Sequence, residues 1–145
     1  MARVEVLRGS YGYKRFTRDG YATVLETNAL YAQGELSKFR GIESEWPMFF
    51  AYQVITACFE GQMERAEQFS EAMEPLLVHP VSEKYPWLPK FYFVPEGSLD
   101  EEREKPGSQA RRSNFKLRME PRFLWGQAVY IVSQMFSKLT TFCHI

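Results

Sequence analysis

The chain has 145 residues, 45% hydrophobic and 16% aromatic, enough for one domain with a sizeable core. Eighteen Lys and Arg balance eighteen Asp and Glu, which excludes the broad basic field that nucleic acid or an anionic membrane would require. Cys58 and Cys143 lie far apart and lack metal-ligand spacing, so they read as core thiols of a reducing compartment, and no metal or other cofactor is expected. Met1 to Leu7 has an acid where a signal peptide needs its apolar run, and no stretch reaches the ~20 apolar residues of a membrane span. A cytoplasmic location is the expectation.

Tyr11 to Tyr21 holds Gly12 and Gly20, alternating aromatics, Lys14, Arg15, Arg18 and Asp19, with no helical period, and reads as an ordered loop. Gly34 to Arg40 fits one short helical turn, stopped by Gly41. Glu43 and Glu45 then precede a helix from Pro47 to Phe59. Acids suit the positive end of a helix dipole and Pro suits the first helical position, while acids at the mouth of an apolar helix also suggest a pocket. The helix is apolar on nearly every side and is expected to be buried all round.

Gly61 ends it. From Gln62 to Leu77, Met63, Ala66, Phe69, Met73, Leu76 and Leu77 recur at three- and four-residue spacing, with Pro75 shortening the end. A buried helix, a Gly turn and an amphipathic helix predict an αα-hairpin, the inner and outer members of a layered helical fold. Between Val78 and Pro121 four X-Pro pairs force extended backbone, so Phe91 to Val94 is at most a short strand, and the run Asp100 to Lys105 reads as a solvated face. A loop of this length, more than forty residues, tends to carry function. The last helix begins near Arg122, with Leu124, Ala128, Ile131, Met135, Leu139 and Phe142 on one apolar face.

Five ordered motifs, Tyr11 to Tyr21, Gly41 to Phe50, Pro89 to Pro95, Pro106-Gly107-Ser108-Gln109 and Leu124 to Ala128, closely resemble the large regulatory subunits of phosphorylase kinase over about Tyr11 to Met135. The Pro-Gly-Ser-Gln and Phe-Leu-Trp-Gly-Gln runs look more like the beta subunit. The resemblance implies an all-α fold, a partial (α/α)6 toroid of the glucoamylase (glycoside hydrolase family 15) type with long aromatic- and proline-rich loops. Residues 1–145 would then be a fragment of that domain, with 78–121 a long loop insertion. By the same resemblance Arg15 falls where glucoamylase-like enzymes grip the sugar, and Glu96 near their general base, as a vestigial candidate.

The carbohydrate-pocket candidates are Arg15, Asp19, Glu43, Glu45, Trp46 and Trp125, and the implied ligand is a glucan. Plainer readings stand beside them: Glu43 and Glu45 as dipole partners, Arg15 with Asp19 as a loop-pinning ion pair, and Trp125 as core. His79 and His144 read as incidental, and Arg111 and Arg112 with Lys116 and Arg118 as a solvated basic cluster. One carboxylate is not a hydrolytic mechanism, since inverting hydrolysis needs an acid and a base ~6.5–9.5 Å apart.

The resulting expectation is a non-catalytic regulatory and scaffolding subunit controlling glycogen breakdown, with catalytic and other regulatory subunits as partners. The chain has no Gly-rich phosphate loop, His-Arg-Asp or Asp-Phe-Gly motif for kinase chemistry of its own. The alternatives are a glucan hydrolase of glucoamylase type and a generic helical interaction module. The family's calmodulin binding is assigned to no residue, because Arg122 to Phe142 has bulky anchors but little positive charge. Its prenylated attachment to the plasma membrane is likewise not carried over, because only two residues follow Cys143.

Overall fold

Three helices carry the architecture of the computed structural model, which describes residues 2–27, 29–81, 83–114 and 123–142. After a short α1 (Ala2–Glu5) come α2 (Met48–Phe59), α3 (Met63–Met73), the short α4 (Leu99–Glu104) and α5 (Leu124–Phe142). Arg122, Lys116, Arg118, Cys143 and His144 lie outside the described residues.

The expected hairpin is present. Pro47 stands one residue before α2, and Gly61, at φ +70°, ends it, with Gln62 N–H donating to the Ala57 carbonyl (2.8 Å) and Gly61 N–H to that of Cys58 (3.2 Å). Ala66, Phe69 and Met73 of α3 pack on Phe50, Ala51, Val54 and Ala57 of α2, and the chain passes into a 3-10 turn, Glu74–Leu76, at Pro75. The expected turn before Gly41 is a 3-10 helix, Gln33–Phe39, anchored by fully buried Phe39.

Enclosure of α2 on all sides is not observed. Tyr52 and Phe59 reach solvent, Phe59 with 73% of its surface exposed, because the helix carries a second apolar stripe that the described residues cover only in part. The stripe of Phe50, Ala51, Val54 and Ala57 forms the buried contact with α3 and α5.

α5 lies parallel to α2. Trp125 bonds Tyr52 near both starts, and the Phe59 and Phe136 rings meet at 4.9 Å near both ends. The expected inward face of α5 is turned outward: Leu124, Ile131 and Met135 are 72%, 50% and 57% exposed, and Ala128 is exposed with them. Gly126, Val129, Tyr130, Ser133 and Phe136 face inward instead. The helix is apolar on two faces, and the one with Gly126 and Ser133 lets the backbones approach more closely. The Ser133 hydroxyl is satisfied by the Tyr130 carbonyl at 2.7 Å.

Within 78–121, the described residues 78–81 and 83–114 are more ordered than a loop. β1 (Tyr92–Phe93) pairs antiparallel with β2 (Arg112–Ser113), and Val78 exchanges backbone hydrogen bonds with Trp87 at 2.9 and 2.8 Å. The acidic run forms α4, which is not wholly solvated: Leu99 is buried, and Glu102 is fully enclosed. The chain is therefore predominantly helical with a small two-stranded sheet.

Glu45 and Trp46 extend this sheet into a hub. Tyr13 and Trp46 exchange N–H···O bonds of 3.3 and 2.9 Å, and Glu45 and Tyr92 exchange bonds of 2.9 and 2.8 Å. Gly12, at φ +138°, permits the approach, since a Cβ there would lie 2.3 Å from the Trp46 carbonyl carbon.

Two core tyrosines provide a test. The Tyr92 hydroxyl donates to the Leu76 carbonyl at 2.7 Å, and burial pushes its pKa up to about 12. The Tyr13 hydroxyl is buried and has no hydrogen-bond partner among the described residues. Tyr92→Phe is expected to cost about 1–2 kcal/mol in denaturant unfolding, whereas Tyr13→Phe should be neutral or stabilising.

Candidate functional site

Glu43, Ser44, Glu45 and Trp46 are all at most 5% exposed, so the acids before α2 do not line an open mouth. Nor do they serve the helix dipole, since the first turn of α2 contains no acid. They hold loops. Glu43 accepts the Arg18 N–H through Oε1 at 2.7 Å and lies 3.0 Å from Lys14 Nζ through Oε2. Glu45 accepts the Tyr11 N–H through Oε2 at 2.8 Å and meets Arg111 through Oε1 at 2.9 Å. Ser44 donates to the Ala22 carbonyl at 2.7 Å.

Arg111 is buried, unlike Arg112, and so is not part of a solvated cluster. Its guanidinium also lies 3.1 Å from Glu102 Oε1 and donates to the Glu43 carbonyl at 2.6 Å. Glu102 in turn accepts the N–H groups of Gly107 (2.8 Å) and Gln109 (3.0 Å). Sequence reading missed Glu102 and the role of Arg111. No spacing marks them, because the acid sits in a run of charges and the arginine beside another arginine. Burial pushes the Glu45 pKa above the usual carboxylate range, outweighing the opposing effects of Arg111 and the Tyr11 N–H.

Above this network lies a cation and aromatic cluster. Arg15 grips Asp19 through two bonds of 2.6 and 2.8 Å, and its guanidinium carbon is 4.5 Å from the Tyr21 ring centroid and 5.2 Å from that of Trp46. Tyr21 and Trp46 stack at 5.9 Å. Arg18 and Ala22 adopt φ of +61° and +63°, which is costly for residues with a Cβ. Carboxylates stabilise both, Glu43 taking the N–H of Arg18 and Glu26 that of Ala22, each at 2.7 Å.

The structure thus joins Arg15, Asp19 and Trp46 directly, with Glu43 and Glu45 holding the loop beneath. Trp125 is not core: it is 59% exposed and reaches the cluster only through Phe123, whose ring is 6.1 Å from both Trp125 and Trp46. Exposed Glu96 opens instead on a cleft of about 600 Å³ with Ser98, Gln109, Arg111 and Arg112, a lining that includes none of Arg15, Asp19 and Trp46. Asp19, Glu43, Glu45 and Glu102 are each engaged by backbone N–H groups and cations, so none is poised to exchange a proton with a substrate. Among the described residues no group of His, Cys, Asp or Glu could hold a metal ion.

Removing Arg111 would leave two carboxylates buried and uncompensated. Arg111→Met is expected to cost about 3–5 kcal/mol, read from denaturant unfolding. Glu45 contributes a pH dependence. Its folded pKa is raised, so as pH increases from about 4.5 the unfolded chain releases this proton first. The folded state then binds more protons, and the Glu45 contribution to stability falls until pH passes the raised folded value. The Glu45→Gln variant should lack this decline, so the difference between the two stability profiles should show it.

No family model matches the chain. The phosphorylase b kinase regulatory subunit alpha, skeletal muscle isoform, of Oryctolagus cuniculus is 37% identical over 134 residues, covering 91% of this chain and 10% of that protein. The liver isoform of the alpha subunit from the same organism is 36% identical over 137 residues, 93% of this chain and 11% of that protein. The probable phosphorylase b kinase regulatory subunit beta of Drosophila melanogaster is 33% identical over 136 residues, 92% of this chain and 11% of that protein. The chain spans about one-tenth of the length of these relatives. Over that span it is similar to the regulatory subunits of phosphorylase b kinase, alpha and beta alike.

Proposed function

We propose that this chain is a segment of a regulatory and scaffolding subunit of phosphorylase kinase, acting in the control of glycogen breakdown and non-catalytic itself. The observation that carries the reading is 33–37% identity to regulatory subunits over about nine-tenths of the chain. Phosphoryl transfer falls to a separate catalytic subunit, which with the other regulatory subunits forms the partner set. The Pro106 to Gln109 and Phe123 to Gln127 runs favour a beta-like subunit, beside identities of 37% to an alpha and 33% to a beta relative. The setting is the cytoplasm, and among the described residues no helix is long and apolar enough to cross a membrane. The family's calmodulin and lipid attachment map to no residue described here.

The parallel α2 and α5, with α3 packed outside α2, support two inner helices and one outer helix of a glucoamylase-like toroid. The exposed apolar surface of Tyr52, Phe59, Leu124, Ile131 and Met135 suits a face that further helical hairpins would bury. In this reading Arg15 presents a glucan-binding surface held from beneath by Asp19 and Trp46, Glu43 and Glu45 support it from below, and Trp125 borders it. Glu96 is a vestigial base. Hydrolysis is not expected, because the neighbouring carboxylates are already committed to N–H groups and cations.

Replacing the matching segment of the Oryctolagus cuniculus skeletal-muscle alpha subunit with this chain is expected to preserve assembly with the catalytic subunit and phosphorylation of phosphorylase b. A chimera that folds but fails to assemble would overturn the regulatory reading. Release of glucose from maltooligosaccharides above a Glu96→Gln control would establish the hydrolase instead.

A further inference from the structure

We propose that the cluster of Arg15, Tyr21, Trp46 and Lys90 selects a phosphorylated sugar, and that Lys90 is the residue that recognises the phosphate. The inference rests on the glucan reading for its sugar but not for its anion. Lys90 was not among the residues singled out from the sequence. Its ammonium lies 5.4, 5.7 and 5.5 Å from the ring centroids of Tyr21, Trp46 and Phe123, and donates to the Tyr21 hydroxyl at 3.0 Å. Among the described residues no carboxylate pairs with it. Ring faces and a phenol stabilise an ammonium without cancelling its charge.

Arg15 approaches the same two rings, Tyr21 and Trp46, so two cations share one aromatic pair. The acids of the cluster lie underneath: Asp19 and Glu43 are 3% and 2% exposed and are already bound to Arg15, Lys14 and backbone N–H groups. Glu26, which also acts on Arg15, is tied to the Ala22 N–H. Outward, the cluster offers Arg15, Arg18, Phe16 and Tyr21, which are all exposed, together with partly exposed Lys90. That face is rich in N–H donors and ring surface and poor in free acceptors. A neutral sugar would use the rings and leave the excess charge unmatched.

A phosphate monoester carries about −1.5 to −2 charge at pH 7. Its three oxygens can accept from an ammonium and a guanidinium arriving from different directions, which the two oxygens of a planar carboxylate do less well. The sugar ring would pack on Tyr21 and Phe16. Lys90 is held for this task by its backbone, whose N–H donates to Asn114 Oδ1 at 2.9 Å immediately before β1.

The test follows the indole resonance of Trp46 by nitrogen–proton nuclear magnetic resonance in the full chain, with Trp87 as internal reference. Glucose 6-phosphate is expected to half-saturate the Trp46 shift at a concentration about tenfold or more below that of glucose, one factor of ten in affinity. Lys90→Met should abolish that difference with an unchanged thermal midpoint, and Lys90→Arg should retain it. Equal responses to glucose and glucose 6-phosphate would overturn the proposal, as would equal responses to glucose 6-phosphate and either glucuronate or inorganic phosphate. Shifts with maltotriose but no phosphate preference would sink this inference alone. A phosphate-ester preference without any maltotriose response would sink the glucan reading and leave the Lys90 site standing.

Discussion

The buried contact of Arg111 with Glu45 and Glu102 is the constraint on which the loop architecture depends. Three charges removed from water are tolerable only together, because each lost partner leaves another ion desolvated. The three residues come from the segment before α2, from α4 and from the position just before β2. Meeting at one point, they fix where these segments lie relative to one another. The raised pKa of Glu45 shows that desolvation remains a real cost even beside an arginine. The network therefore makes one loop arrangement the acceptable one more than it adds net stability.

From that anchor the loops divide their chemistry by depth. Carboxylates point inward and satisfy backbone N–H groups, including those of Arg18 and Ala22 in left-handed conformation. Cations and aromatic rings are left on the outer side. Such a surface suits recognition better than proton transfer, since the groups able to act as acid or base are consumed in holding the loops. The helical core supports the arrangement through Trp46, which bridges to Tyr13 one residue before Pro47 and α2.

The helical layer carries a second message. α2 and α5 run side by side in the same direction, and each keeps apolar surface exposed beside their shared contact. Scattered exposed apolar residues are ordinary, but two adjoining stripes on parallel helices form a surface suited to further packing. Relatives about ten times longer than this chain contain ample sequence for such packing.

The αα-hairpin, its Gly61 turn, the shortening at Pro75 and the 3-10 turn before Gly41 were legible from sequence, because each depends on spacing or on backbone preferences of nearby residues. The five ordered motifs likewise pointed to regulatory-subunit relatives. Tertiary structure alone decided which face of α5 is buried, since its two apolar faces have equal periodicity and only the fit of Gly126 and Ser133 against α2 separates them. It also gave Glu43 and Glu45 to loop N–H groups and cations rather than to a helix end, and it drew Glu102 and Arg111 out of apparently solvated stretches. Charge pairing such as that of Glu45 with Arg111, 66 residues apart, has no local signature, because it depends on which segments meet and how much water that meeting excludes.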